Sequence, residues 1–257
     1  MSTSPQLELA RRFQSLHLPG DPLVLFNVWD AGSARAVAKA GAKAIATGSW
    51  SVAAAHGHAD GEKLPLELAL ANLERIVAAV DLPVTVDLEA GYGREPAAVA
   101  ETLSGAIAAG AIGANLEDRV IGEQGLYSTA DQSARIGAAR RTAEAAAIPF
   151  FLNARTDLFL KAAAERHDAD LVDAALERAR AYAAAGASGL FAPGLVSEPL
   201  IERLCGACPL PVNILVLPTA PSARRLAELG VARISHGPGP YRLAMQTLED
   251  AARQAQG

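Results

Sequence analysis

The chain of 257 residues carries a formal net charge of −5, with 23 Lys and Arg against 28 Asp and Glu. This acidic balance argues against a nucleic-acid-binding protein, which needs a basic surface to neutralise phosphates. No segment approaches the ~20 consecutive apolar residues of a membrane-spanning helix, and the opening MSTSPQLELARR contains no apolar signal-peptide core. We therefore expect a cytoplasmic protein with no membrane segment and no nucleic-acid partner.

Short apolar runs alternate with Ala-rich helical stretches along the chain. The predicted strands are 23–28, 43–47, 84–88, 113–117, 149–153, 189–192, 212–216 and 232–235. The predicted helices are 33–40, 67–80, 96–109, 130–146, 169–185, 198–205, 220–229 and 240–256. Eight strand-then-helix units in a chain of this length favour an α/β fold of the (β/α)8 type, the TIM barrel. We expect residues 1–257 to form a single domain of this kind.

Four predicted helices end at a glycine two or three residues before the next strand. These glycines are Gly41, Gly110, Gly186 and Gly230. Glycine suits the left-handed conformation that terminates many helices, so these positions indicate one face of the barrel. Functional residues of such barrels lie at the opposite face, where the carboxyl ends of the strands meet.

Polar side chains stand at the carboxyl ends of most predicted strands. Asp87 and Glu89 lie two residues apart in one strand and so point to the same side, while Glu117 ends the next strand. Buried carboxylates are costly unless they are paired or bind a metal. Oxygen ligands of this kind fit Mg2+, or Mn2+, so one interpretation is a metal site. The other is a set of salt bridges from these acids to arginines such as Arg155.

Further candidate residues lie in the loops at the same face. The turn Gly48–Ser49–Trp50 follows the second strand, and its N–H groups are suited to bind a carboxylate or oxyanion. Asp60 lies in the next loop. The polar loop 119–130, which contains Tyr127, is either a lid that excludes water or a surface loop. His236, after the eighth strand, is either an acid–base residue or a hydrogen-bonded histidine at the rim.

Five segments together resemble one known superfamily, that of isocitrate lyase and phosphoenolpyruvate mutase. The segments are FNVWDAGSARAVAKAGAKAIATGSWSVAAAHGHADGE, VTVDLEAGYG, GANLEDR, LNARTDLFL and RISHGPGPYR. The resemblance covers nearly the whole chain in order and spacing. It implies a (β/α)8 barrel with its last helix swapped between subunits of a homodimer or homotetramer. It also implies Mg2+ and a small 2-oxo or dicarboxylic acid as substrate.

The resemblance implies a role for each matching residue. Asp87 corresponds to the direct metal ligand, and Asp60, Glu89 and Glu117 to acids that hold the metal largely through waters. The turn at Gly48, Ser49 and Trp50, with Asp60, Asp87, Arg155 and Asn213, is expected to bind the substrate. Arg155 corresponds to the arginine that steadies the developing enolate oxygen.

Departures from the family pattern limit the expected reaction. The isocitrate and methylisocitrate lyases carry a Lys-Lys-Cys-Gly-His motif on the lid, whereas residues 119–129 here contain no Cys, Lys or His. The Lys and Asn–Ser of the phosphonate-forming mutases are absent as well. Glu89 stands where Asp is more usual. Tyr127 and His236 are the remaining candidate proton carriers.

Three functions are consistent with this pattern. The first is a Mg2+-dependent lyase that cleaves a carbon–carbon bond of a small 2-oxo or 2-hydroxy acid through an enolate. The second is carbon–phosphorus bond chemistry on acids that resemble phosphonopyruvate. The third is a non-catalytic protein that binds a 2-oxo acid such as 2-oxoglutarate, and the absence of acid–base residues from the lid favours it.

Overall fold

The computed structural model describes residues 4–257 and shows a parallel barrel. The strands are β1 Leu23–Leu25, β2 Ile45–Ala46, β3 Val84–Asp87, β4 Gly113–Glu117, β5 Phe151–Arg155, β6 Gly189–Phe191, β7 Val212–Leu215 and β8 Arg233–Ser235. They form one sheet in the order β1-β8-β7-β6-β5-β4-β3-β2. A parallel bridge between Val28 and Thr47 joins its two ends. The predicted (β/α)8 fold is therefore confirmed.

Helices surround the sheet. They are α1 Pro5–Ser15, α2 Ala31–Lys39, α3 Ser49–Ala55, α4 Leu66–Val77, α5 Pro96–Ala108, α6 Thr129–Ala145, α7 Leu158–Lys161, α8 Ala169–Ala184, α9 Glu198–Ala207, α10 Ala223–Glu228 and α11 Gly239–Ala255, with a 3-10 turn at Ala164–Arg166. The four glycines expected at helix ends have φ of +92°, +94°, +101° and +87° in chain order. These values confirm the left-handed terminations.

The fold differs from the expectation in several places, among them strand β5 and helix α1. Strand β5 begins and ends two residues later than predicted, because Pro149 has no N–H to donate and Phe151 is the residue that pairs with Gly113 of β4. Helix α1 was not predicted. It begins at a Ser4 cap followed by Pro5, a signal that the sequence contains.

Helix α1 closes the amino-terminal end of the barrel. Phe13 is fully buried and meets Phe151 edge to face, and His17 stacks on the same ring with centroids 3.8 Å apart. Burial, followed by the charge of Arg233, lowers the pKa of His17 to about 3. The packed rings of Phe13, Phe151 and neutral His17 therefore close this end of the barrel. A ligand can enter only at the other end.

Strand side chains alternate between two environments. Those pointing outward, such as Val86, Leu152 and Ile234, form the main apolar core with the helices. Those pointing inward become polar toward the carboxyl ends, where the inner positions include Asp87, Glu117 and Arg155. The fold therefore places charged groups where the strand ends meet.

The carboxyl-terminal helix α11 leaves part of the barrel uncovered. Within α11 only Pro240 is buried, and Leu243 is 64% exposed. Val24, in β1, and Phe26, just after it, are 44% and 40% exposed. No helix within residues 4–257 has the length and apolar character needed to cross a membrane.

Candidate active site

A cavity of about 200 Å³ opens at the carboxyl ends of the strands. Its wall is formed by Asn27, Gly48, Ser49, Trp50, Asp60, Asp87, Asn115, Arg155, Leu160, Phe191, Pro193, Leu215, Ser235, Gly237 and Pro238. Six of the predicted site residues therefore meet in one cavity: Gly48, Ser49, Trp50, Asp60, Asp87 and Arg155.

Asp87 is fixed at the end of β3 by Thr47, which follows β2, and by Ser49, the first residue of α3. Its backbone N–H donates to Thr47 Oγ1 at 2.9 Å, and its Oδ2 accepts from the Ser49 hydroxyl at 2.8 Å. The other oxygen, Oδ1, is buried and has no hydrogen-bond partner within the described chain. A buried carboxylate oxygen without a donor is costly, so this atom is suited to a cation.

Glu89 lies just beyond β3 in a left-handed conformation with φ of 51°. Its Oε2 accepts from the backbone N–H groups of Gly61 at 2.9 Å and Glu62 at 2.8 Å. Burial raises the pKa of Glu89 to about 7, and its acidic neighbours add to this rise. A small cavity of about 20 Å³ adjoins Asp87 and Glu89, which is room for about one water.

Arg155 is held by carboxylates on two sides. Its NH1 lies 2.9 Å from Glu117 Oε2, and its Nε donates to Asp157 Oδ1 at 2.6 Å. Burial lowers the pKa of Arg155, but the two acids more than offset this, so the group stays cationic. Burial raises the pKa of Glu117, and Arg155 opposes that rise. The guanidinium is thus fixed in one orientation at the cavity wall.

Asp118, which was not among the predicted site residues, supports this arrangement through a further set of contacts. The Asp118 carboxylate accepts from the Asp157 N–H at 2.9 Å, from Tyr182 Oη at 3.0 Å and from Arg178 at 3.1 Å. Asp118 is fully buried on the helix side of the barrel. It therefore anchors the segment that carries Arg155 and Asp157. Its position beside Glu117 in the motif GANLEDR was the available signal.

Asp60 reaches the cavity from the loop after α3. Burial raises its pKa, and the nearby Asp87 raises it further. However, no group of three or more His, Cys, Asp or Glu side chains in residues 4–257 is arranged to hold a metal directly. Among the four predicted acids, only Asp60 and Asp87 line the cavity, while Glu117 pairs with Arg155 and Glu89 accepts from backbone N–H groups.

Besides Glu89 and Glu117, three predicted residues do not line the cavity. The ring of Tyr127 lies beneath the Arg135 guanidinium, 4.1 Å from Cζ to the ring centre. The ring of His236 stands beside Phe26, with centroids 5.1 Å apart. Asn213 is buried within the barrel, where its Oδ1 accepts from Ser235 Oγ at 3.2 Å. The structure therefore does not bring these three side chains to the other site residues.

A family model identifies the group of proteins to which this site belongs. The model for phosphoenolpyruvate phosphomutase matches residues 13–256. The chain belongs to the phosphoenolpyruvate phosphomutase family. This membership confirms the resemblance found in the sequence, and it places the chain among carbon–carbon lyases and mutases that act on small oxo acids.

Individual members of the family cover almost all of this chain. A crystal structure from Burkholderia cenocepacia J2315, described as a provisional phosphonomutase, is 58% identical with a TM-score of 0.95, over 97% of this chain and 99% of that one. A functionally uncharacterized protein of Mycobacterium tuberculosis H37Rv is 37% identical over 94% of this chain and 87% of its own length.

Some relatives carry named activities. The 2-methylisocitrate lyase of Escherichia coli K12 is 29% identical over 77% of this chain and 70% of its own length. An oxaloacetate decarboxylase of Ectopseudomonas mendocina is 30% identical over 71% of this chain and 62% of its own length. A phosphonopyruvate hydrolase solved with oxalate and Mg2+ shares the fold at 20% identity and a TM-score of 0.83, over 96% of this chain and 86% of that one.

Proposed function

We propose that this protein is a Mg2+-dependent lyase that cleaves a carbon–carbon bond of a small 2-oxo or 2-hydroxy acid through an enolate. One observation carries the proposal: Arg155, fixed by two carboxylates, shares a cavity with Asp87, whose buried Oδ1 has no partner in the described chain. A fixed guanidinium opposite a free carboxylate oxygen suits an anionic substrate that binds together with a metal ion.

The side chains present fit a hydrated Mg2+ ion, with Mn2+ as the alternative. Asp87 would be the direct ligand through Oδ1, and Asp60, Glu89 and Glu117 would hold its water ligands. Such a set suits Mg2+, which keeps several waters and uses one or two carboxylates. Burial raises the pKa values of these last three acids, and a nearby dication favours their ionised forms. When bound, the ion would polarise the substrate carbonyl.

The chain's own residues would bind the substrate and stabilise the charge that develops on it. The turn Gly48–Trp50 would bind the carboxylate of the acid. Arg155 would donate hydrogen bonds to the oxo oxygen as the bond to carbon three breaks and negative charge builds on that oxygen. Asp157 and Glu117 would keep the guanidinium in place.

Decarboxylation of an acid that resembles oxaloacetate suits this cavity. The electrons of the broken bond would form the enolate, carbon dioxide would leave, and carbon three would take a proton from water. Because water can supply this proton, the reaction needs no proton donor from the protein. This agrees with the observation that neither Tyr127 nor His236 lines the cavity. The oxaloacetate decarboxylase among the relatives supports the same reaction class.

A thermal-shift screen with and without Mg2+ tests the proposal. The panel is pyruvate, oxaloacetate, 2-oxoglutarate, isocitrate, 2-methylisocitrate, phosphonopyruvate and oxalate. A ligand at a hundred times its Kd stabilises the fold by about 2.7 kcal/mol. We expect a Mg2+-dependent shift with oxalate and with one oxo acid, followed by turnover of that acid. The absence of any shift at saturating Mg2+ would contradict the proposal.

Two specific observations favour other functions of the same cavity. The name of the 58% identical relative favours carbon–phosphorus bond chemistry. In that case the protein would turn over phosphonopyruvate and none of the acids that require cleavage of a carbon–carbon bond. Neither Tyr127 nor His236 lines the cavity, which favours a binding protein for a 2-oxo acid such as 2-oxoglutarate. That protein would show the thermal shift but no turnover of any acid in the panel.

A further inference from the structure

A buried polar cluster lies in the barrel beneath the cavity, on the inward faces of three strands. Arg233 of β8 is only 1% exposed, and its NH2 donates to Asn115 Oδ1 of β4 at 3.2 Å. The Nδ2 of Asn153, the residue that pairs with Asn115 across β4 and β5, donates to the same oxygen at 2.9 Å. One amide oxygen therefore accepts two hydrogen bonds inside the barrel.

These two bonds fix the orientation of the Asn115 amide. A guanidinium can only donate hydrogen bonds, so the Asn115 atom that faces Arg233 is the oxygen. The nitrogen Nδ2 must then point away from the cluster. No protein group within residues 4–257 accepts a hydrogen bond from it, and Asn115 lines the cavity. The amide N–H groups are therefore available to a ligand in the cavity.

The other asparagine in the cavity wall is not available in this way. Asn27 donates through Nδ2 to Thr47 O at 2.8 Å, and its Oδ1 accepts from the N–H groups of His236 and Gly237. Both ends of that side chain thus connect loops of the barrel. Of the two asparagines in this wall, Asn115 alone has an amide nitrogen without a protein acceptor.

Burial of the Arg233 charge costs free energy, and few groups of the described chain contact its guanidinium. Its Nε and NH1 have no partner in the described chain, and it forms no salt bridge among the described residues. Burial lowers its pKa to about 9, although Asp87 opposes the change. A hydrophobic side chain of similar size would fill this space without the cost of burying a charge. A hydrophobic replacement would lack two contacts of the guanidinium, namely its approach to the Phe13 ring, with 6.0 Å from Cζ to the ring centre, and its hydrogen bond to Asn115. Only the hydrogen bond reaches a residue of the cavity wall.

We infer that Asn115 is a substrate-binding residue that donates a hydrogen bond from the cavity floor to an oxygen of the bound 2-oxo acid, and that Arg233 is its positioning residue. The inference rests on the proposed function, because it takes the cavity to bind such an acid. An N–H donor at this point selects an oxo or carboxylate oxygen and rejects an ammonium or alkyl group, which would leave the donor unpaired.

Affinity for oxalate in the presence of Mg2+ tests both roles. Asn115→Leu removes the donor, Arg233→Met removes the group that orients it, and Arg233→Lys restores a donor and a charge. We expect at least a tenfold rise in the Kd for Asn115→Leu, a rise of about fivefold for Arg233→Met, and partial recovery for Arg233→Lys. Thr85→Val, which alters a buried hydroxyl on the inward face of β3 outside this cavity, is the matched control and should keep the wild-type Kd.

A second measurement reports on the amide itself. In 15N-labelled wild-type protein, the Asn115 side-chain amide resonance should shift when oxalate and Mg2+ are added. The resonance should shift less in Arg233→Met. This measurement tests the role of Asn115 even if Asn115→Leu does not fold. Wild-type oxalate binding with an unmoved amide resonance, or an unchanged Kd in folded Asn115→Leu, would overturn the role of Asn115. An unchanged Kd in Arg233→Met would overturn the positioning role. If the wild type binds no acid at all, the proposed function fails and this inference fails with it.

Discussion

At the residue scale, the acids of the site have different partners. The sequence left open whether these acids hold a metal or pair with arginines. In the structure Glu117 forms a salt bridge with Arg155, whereas Asp87 forms none within the described chain and keeps one oxygen free. The salt-bridge interpretation therefore applies to Glu117, and Asp87 is the acid for which the metal interpretation stays a proposal. Spacing along a strand cannot separate them, because partner choice depends on side chains from neighbouring strands.

Removal of the Asp87 carboxylate tests whether Asp87 is the direct metal ligand. We expect Asp87→Ala to abolish Mg2+-dependent binding of oxalate, because the free Oδ1 is lost together with the charge. Calorimetric titration of oxalate with and without Mg2+ measures the effect. Asp173→Ala, at an exposed salt bridge with Arg203, is the control and should bind normally. Unchanged Mg2+ dependence in Asp87→Ala would remove Asp87 from the metal site.

Removal of the Arg155 guanidinium should affect the acid and spare the metal. We expect Arg155→Ala to weaken oxalate binding by more than tenfold, which is more than about 1.4 kcal/mol, with Mg2+ binding retained. Asp157→Asn should give a smaller loss, because it loosens the guanidinium without removing it. Titrations of both variants measure this order. A loss in Arg155→Ala below tenfold would place Arg155 outside the substrate site.

Glu89 predicts a pH dependence of stability. Burial raises its pKa from 4.5 to about 7 in the folded state, so between these values the folded protein binds more protons than the unfolded chain. The contribution of Glu89 to stability should therefore fall as the pH rises through this range, by up to about 3 kcal/mol. Urea unfolding of the wild type and of Glu89→Gln at about pH 5 and about pH 8 measures this contribution as the difference between their pH dependences, because His17 and Glu117 are present in both proteins. The same pH dependence in both proteins would assign the effect to other groups.

At the scale of elements, helix ends were easier to predict than strand ends. The left-handed glycines follow from a local rule about backbone conformation, and all four were found as expected. The shift of β5 by two residues depends on its pairing with β4, which is not local. Residues 48–50 were expected to form a turn, whereas in the structure helix α3 begins directly after Gly48.

Two of these glycines allow a matched comparison. Both Gly41→Ala and Gly110→Ala force a left-handed alanine, which costs about 1 kcal/mol. A Cβ at Gly110 would also lie 2.7 Å from Val77 Cγ1, whereas one at Gly41 would have no atom within 4 Å. We expect Gly110→Ala to lose roughly a further 1–3 kcal/mol by urea unfolding. Equal losses would show that Val77 moves without cost.

At the scale of the whole molecule, the exposed apolar face is where we expect subunits to assemble. The family resemblance implies a swapped last helix, and α11 together with Val24 and Phe26 leaves apolar surface exposed. We expect a homodimer or homotetramer in light scattering, and dissociation in the double variant Leu243→Glu, Leu248→Glu. Leu68→Glu, at another exposed leucine on α4, should leave the assembly intact. A monomeric wild type would contradict the prediction.

The sequence by itself determined the barrel, the face that carries the site and the family, because strand and helix periodicity, helix-ending glycines and linear motifs are local. Only the tertiary structure decided which polar residues meet. It left Tyr127 and His236 out of the cavity wall, paired Glu117 with Arg155, and joined Asn115 to the buried Arg233 by a hydrogen bond. These contacts join strands separated by up to 118 residues, and their distances and hydrogen-bond directions exist only once the barrel has closed.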